Sequence, residues 1–284
     1  NINCLEKTVN LRIIHFASMS KVILITGASS GLGEFLANYL AQNGHKVYGT
    51  SRSIKQEGYL FTALPMDVCD NNSIENVINQ ILAKEQKLDV LINNAGLGLA
   101  TPFEHTGMAE IDRLFDTNVK GVIRVCQAVL PTMRKQGFGK IIQISSIASE
   151  FGLPYRGLYC ASKAAVERFT EALRMEVGKY GIQACLVQPG GIQTDINKNR
   201  MMSPIPSDSV YKESFERCLA IVNASVSKGY SLEPFGPALE RIIQADKIKR
   251  VYRIGKLTEK ISVILKRLLP ASWFEGILLG HYKI

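Results

Sequence analysis

The chain has 284 residues, 46% of them hydrophobic and 21% charged, with a net charge of +9. That is length enough for one large α/β domain with a substantial core, and no apolar run reaches the roughly 18 residues of a membrane span. Ten Lys/Arg against three Asp/Glu put +7 of the excess into residues 241–284, which argues against a nucleic-acid binder with a broad basic face.

Residues 1–18 make no convincing signal peptide. Met19-Ser20-Lys21 reads as the natural start, with 1–18 an upstream or disordered extension. From there, residues 19–284 are expected to form a single domain. Short β-branched runs at 22–26, 46–51, 59–66 and 88–93 read as strands, with helical periodicity at 31–43 and 70–84 between them. A long helix over 107–136, a strand at 140–145, a helix over 155–180 and a strand at 183–188 follow. After an irregular stretch at 191–206 come helices near 208–228 and 234–245, a strand near 250–254 and a C-terminal helix. Such regular alternation predicts a three-layer, doubly wound Rossmann fold with a single parallel sheet.

Gly27, Gly31 and Gly33 fall where the first strand turns into the first helix, together with Ser29, Ser30 and Leu32. Missing side chains let backbone N–H groups approach a pyrophosphate at the positive helix end, so the turn reads as a dinucleotide site. The second strand ends Thr50-Ser51-Arg52, with no carboxylate to take ribose hydroxyls. An arginine suits a 2′-phosphate, so NADP(H) is expected over NAD(H), and Ser29 or Ser30 can add a bond to that phosphate. Asp67 and Val68, ending strand three, would sit beside the adenine. Asn94, Ala95 and Gly96, ending strand four, would turn tightly past the cofactor.

Tyr159 and Lys163 stand four apart on a predicted helix and so share a face. A close ammonium biases a phenol toward ionisation, which makes the pair a tuned acid/base. Ser146 lies thirteen positions upstream, at the end of strand five. The histidines (His15, His45, His105, His281) are dispersed, each expected at the surface, and no metal is needed. Six cysteines without ligand spacing read as reduced apolar side chains of a cytoplasmic protein, and Cys160 is expected to pack away from the site.

With Thr26-Gly27-x-x-x-Gly31-x-Gly33, Asp67, Asn93-Asn94-Ala95-Gly96, Asn118, Ser146, Tyr159-x-x-x-Lys163 and Pro189-Gly190 in order, the sequence resembles the short-chain dehydrogenase/reductase family. Phe103-Glu104, Ala95-Gly96-Leu97-Gly98 and Tyr159-Cys160-Ala161-Ser162-Lys163 are most similar to its 17β-hydroxysteroid and retinol dehydrogenase branch. The resemblance implies that Tyr159 passes a proton to or from the substrate oxygen while hydride moves at the nicotinamide. It implies that Lys163 lowers the Tyr159 pKa and bonds the nicotinamide ribose, and that Ser146 holds the substrate oxygen. Asn118 would bind a water linking Lys163 to solvent, or else serve only as a polar packing residue. Pro189, Gly190, Ile192 and Thr194 would line the nicotinamide.

A lid is expected near 191–228. Its Met201, Met202, Pro204, Ile205 and Pro206 either suit a small hydrophobic alcohol or carbonyl substrate or simply pack the loop down. Leu257, Ile261, Ile264, Leu265 and Leu268 make a helical stripe flanked by Lys256, Lys260 and Arg267. That stripe is expected to dock on the core or on a partner subunit of a homodimer or homotetramer, with peripheral membrane contact as the other use. No nucleic-acid partner is expected. A catalytically silent dinucleotide sensor or scaffold is the rival to the oxidoreductase, since fold alone does not fix activity.

Overall fold

Alternation along the strands sets the architecture. In the computed structural model, which describes residues 20–55, 57–194 and 200–284, β1 (Val22–Thr26) buries every residue. Ile23 and Ile25 join one core cluster, Val22 and Leu24 the other. A strand buried on both faces belongs inside a parallel sheet covered on both sides. The others are β2 (Lys46–Ser51), β3 (Thr62–Pro65), β4 (Val90–Asn93), β5 (Gly139–Ile144), β6 (Ile182–Pro189) and β7 (Val251–Ile254). They form one sheet in the order β3-β2-β1-β4-β5-β6-β7, with every pair parallel.

One face is covered by α1 (Gly31–Gln42) through Leu32, Leu36 and Leu40, and by Phe235, Leu239 and Ile243 of the helix Phe235–Gln244. The other carries α2 (Asn71–Glu85), α4 (Val122–Gln136) and α5 (Gly157–Val177). α3 (Met108–Phe115) precedes α4, and α6 (Lys212–Ser227) precedes the helix Phe235–Gln244, which is α7 and is followed by α8 (Leu257–Leu268) and α9 (Ala271–Tyr282). A fully buried leucine of the Leu36 or Leu40 kind is worth about 1.5–3 kcal/mol. The strand order reverses between β1 and β4, and their carboxyl ends open a crevice there.

Three departures from the sequence reading matter. The expected helix over 107–136 is interrupted by a π-helical turn, Asp116–Gly121, that contains Asn118. The C-terminal helix is two helices, because Pro270 N-caps α9 and lacks the N–H needed to continue α8. His45 is buried rather than superficial: Nδ1 accepts the Lys21 N–H at 3.0 Å and Nε2 meets Glu240 at 3.0 Å, tying β2 to α7. Among the described residues no helix is long and apolar enough to cross a membrane, and no cluster of side chains could hold a metal. The expected extension 1–18 and residues 195–199 of the expected lid lie outside the described residues.

Candidate active site

The turn after β1 is locked to the end of β4. Thr26 Oγ1 accepts the Asn94 and Ala95 N–H groups, each at 3.0 Å. Asn94 Nδ2 donates back to the Thr26 and Gly27 carbonyls, at 3.0 and 2.9 Å. Gly27 has φ +69°, and a Cβ there would stand 2.7 Å from Ala95 Cα. A Cβ on Gly33 would lie 2.2 Å from the Gly27 carbonyl oxygen. Only glycine fits either position. Ser30 N-caps α1 without a side-chain bond, which leaves first-turn N–H groups to face the crevice.

That crevice is a cleft of ≈ 1060 Å³, lined by Gly27, Ser29, Ser30, Gly31, Leu32, Arg52, Asp67, Val68, Asn94, Ala95 and Gly96 on one side and by Ser146, Tyr159, Lys163, Pro189, Gly190, Ile192 and Thr194 on the other. Gly33 and Asn118 stand behind its wall. At the end of β2, Ser51 Oγ is buried with no hydrogen-bond partner beside the exposed Arg52. Asp67 Oδ1 accepts the Cys69 N–H at 2.9 Å, which fixes the turn carrying Val68.

Tyr159 sits in the first turns of α5, and Lys163 follows one turn later. Ser146 caps the short helix Ile147–Ser149 by accepting the Ala148 N–H at 3.1 Å, and its hydroxyl also bonds the Tyr159 phenol. The electrostatic balance differs from the expected one. Burial dominates and raises the Tyr159 pKa; the Ser146 bond opposes it, and the cations that help are Arg156 and Arg200. Lys163 instead donates to the Ile144 carbonyl at 3.0 Å. Loss of hydration lowers its own pKa from 10.5 to about 8, against the pull of Glu167. Glu167 is buried one further turn along α5 and accepts from Ser145, Ser149 and Gln188.

Asn118 is fully buried. Its Oδ1 accepts the Leu97 N–H at 2.7 Å and its Nδ2 donates to the Leu97 carbonyl and to Ser162 Oγ, at 2.9 and 3.1 Å. Those side-chain bonds tie it to the β4 exit and to the α5 turn that carries Tyr159. Cys160 is buried as expected.

Beyond Tyr159 the cleft turns apolar, with Phe151, Leu153, Ile221, Leu265, Phe274 and Leu278 in its walls and Arg156 and Arg200 among them. The methionine flap does not reach it. Met201 pairs with Gly98 and Ala100, and Ser203 N–H meets Thr101 Oγ1 at 3.0 Å, so this segment is packed onto the 98–101 loop. Residues 212–227 of the expected lid are α6. Glu259 of α8 was not foreseen: its Oε1 accepts the Gly191 N–H at 2.7 Å, pinning α8 to the end of β6. Glu167 and the unpartnered Ser51 were also missed as site residues. Of the three only Glu167 had a usable signal, its spacing of four from Lys163.

A profile of the short chain dehydrogenase family matches residues 21–203. A 3-ketodihydrosphingosine reductase of Bacteroides thetaiotaomicron is 38% identical over 93% of this chain and 98% of its own length. The human 17-beta-hydroxysteroid dehydrogenase type 1 is 36% identical over 64% of this chain and 60% of its own length. Among solved structures, a short-chain dehydrogenase from Streptomyces avermitilis superposes with a TM-score of 0.74 at 28% identity, over 92% of this chain and 98% of that one.

Proposed function

The chain belongs to the short-chain dehydrogenase family of oxidoreductases acting on CH–OH groups, and from that premise we propose that it is an NADP(H)-dependent enzyme interconverting a hydrophobic alcohol and its ketone. The observation that carries this reading is the position of Tyr159, with Ser146 bonded to it, where the polar cleft gives way to apolar walls. The relative named 3-ketodihydrosphingosine reductase suggests a ketone on a long aliphatic chain, which those walls suit.

The cofactor fits the residues present. Gly27, Ser29, Ser30, Gly31, Leu32 and Gly33 would cradle the pyrophosphate, and the buried, unpartnered Ser51 hydroxyl beside Arg52 would meet a 2′-phosphate. Asp67 and Val68 would flank the adenine, Asn94, Ala95 and Gly96 the middle of the dinucleotide. Lys163 would bond the nicotinamide ribose, with Pro189, Gly190, Ile192 and Thr194 around the ring. When bound, the nicotinamide cofactor supplies or accepts the hydride. Tyr159, whose pKa is raised by burial, keeps its phenolic proton at neutral pH and gives it to a substrate carbonyl oxygen. Ser146 orients that oxygen as a fixed donor. Asn118 acts through Leu97 and Ser162, holding the turn on which Tyr159 rides.

Cys69, Cys126, Cys160, Cys185 and Cys218, all free, fit the cytoplasm in this reading. A homodimer or homotetramer goes with it, with exposed Met108 and Met175 outside the cleft as its apolar surface. The test is NADPH oxidation with long-chain ketones in the parent and in Tyr159→Phe. Turnover should fall about 10²–10⁴-fold while cofactor affinity is kept. Near-normal turnover in the variant would refute the assignment and revive a silent dinucleotide sensor.

A further inference from the structure

Most of the apolar stripe expected to dock on the core or on a partner subunit is uncovered by the chain's own core. Leu257, Ile261, Ile264 and Leu268 follow one face of α8 at spacings of four, three and four, and they are 40–75% exposed; in α8 only Val263 is buried. α9 repeats the pattern: Phe274 and Tyr282 are buried, while Trp273 and Ile277 are 68% and 50% exposed. Only Leu269 and Pro270 separate the two helices. Each has 12 residues, about 18 Å at 1.5 Å per residue, too short to span a bilayer and long enough to lie on one.

We propose that the α8–α9 hairpin is a docking surface for an anionic lipid bilayer. Charge selects this occupant. Residues 256–284 hold five Lys/Arg and two Asp/Glu, 5 − 2 = +3. One of the two carboxylates, Glu259, is turned inward onto Gly191, while Lys260 flanks the α8 stripe and the exposed Lys283 follows α9. A second copy meeting this face about a two-fold axis would set the same lysines against each other, whereas anionic headgroups match them. An exposed tryptophan beside aliphatic side chains suits the headgroup boundary. The face also borders the cleft: Leu265, Phe274 and Ile277 line its wall from these two helices.

Trp273 is the single tryptophan of the chain, so its fluorescence reports this surface without a label. Full-length protein is mixed with vesicles of phosphatidylcholine alone or with about one third phosphatidylglycerol, an anionic content comparable to that of lipids that attract basic segments. Sedimentation and iodide quenching are then measured at low and high salt. The anionic vesicles should sediment the protein, shift Trp273 emission to the blue and shield it from iodide, and salt should reverse part of this. Ile261→Glu with Ile264→Glu, both exposed and outside the cleft lining, should weaken binding at least about tenfold, as expected for charges placed at a lipid boundary. Unchanged emission and no sedimentation overturn the proposal. So does a Trp273 already shielded without vesicles in an oligomer that the double variant dissociates, which would make the face a subunit interface. Neither readout uses turnover, so failure here leaves the oxidoreductase reading untouched.

Discussion

Lys163→Met should stabilise the fold near neutral pH while abolishing turnover. The Lys163 side chain is 7% exposed and spends Nζ on the Ile144 carbonyl. Burial takes its pKa from 10.5 to about 8 even with Glu167 pulling the other way. Holding the charged form there therefore costs about 3 kcal/mol, at 1.36 kcal/mol per tenfold. Below the folded value both states carry the proton and the whole penalty is present. Between about 8 and 10.5 the unfolded chain binds the proton and the folded chain does not, so stability rises with pH across that window. Methionine keeps the apolar stem and removes the charge, but leaves the Ile144 carbonyl without this donor, at about 1–2 kcal/mol. The variant should thus gain about 1–2 kcal/mol near pH 6.5 and lose its advantage as pH climbs toward 10, where only the missing hydrogen bond remains. Urea midpoints of parent and variant across that range decide it, since other titrating groups cancel in the difference. A variant less stable near neutrality, or a difference independent of pH, would refute the argument.

Two further outcomes concern the cofactor. NADPH should bind more tightly than NADH by about 1.5–3 kcal/mol, the worth of a charge-assisted bond, nearer the lower end because Arg52 is exposed. Ser51→Asp with Arg52→Ala should reverse the order in calorimetric titration, and a parent that prefers NADH reduces Arg52 to a surface residue. Gly33→Ala should cut cofactor affinity at least about tenfold without loss of helicity, because alanine favours helix while its Cβ drives against the Gly27 carbonyl. Unchanged affinity would mean the turn has room that its geometry denies.

The cofactor half was legible because its determinants are local. Gly27, Gly31 and Gly33 lie within seven positions, their meaning is set by a strand before and a helix after, and the sheet brings every strand end to one edge. The substrate half was not. Its wall joins Phe151, Ile221, Leu265 and Phe274 from four separate segments, and no periodicity says that these side chains converge. The methionine segment was open in the sequence between substrate contact and packing for the same reason: composition suits both, and its backbone pairing with residues 98–101 is a tertiary fact. The stripe on α8 was read correctly as a face, whereas what covers it is a tertiary question. The pairing of Tyr159 with Lys163 was legible as geometry, and the sign of the Tyr159 shift was not, because desolvation depends on everything packed around it.

The cleft also announces itself without any motif. Several features that local rules count as errors lie along it or directly behind it. Asn118 occupies a π-helical turn. Tyr155 holds a left-handed φ of 59° just before α5. Lys163 is a buried cation whose pKa has fallen, Glu167 a buried carboxylate one turn on, and Ser51 Oγ a buried hydroxyl without a partner. Each costs of order 1–3 kcal/mol, and a chain selected for stability alone would lose such features independently and scatter those that survived. Their convergence on one sheet edge is explained if the same region must hold a charged dinucleotide and move a proton. A scaffold that had stopped catalysing would have no reason to keep Lys163 dry in the same cleft as Tyr159.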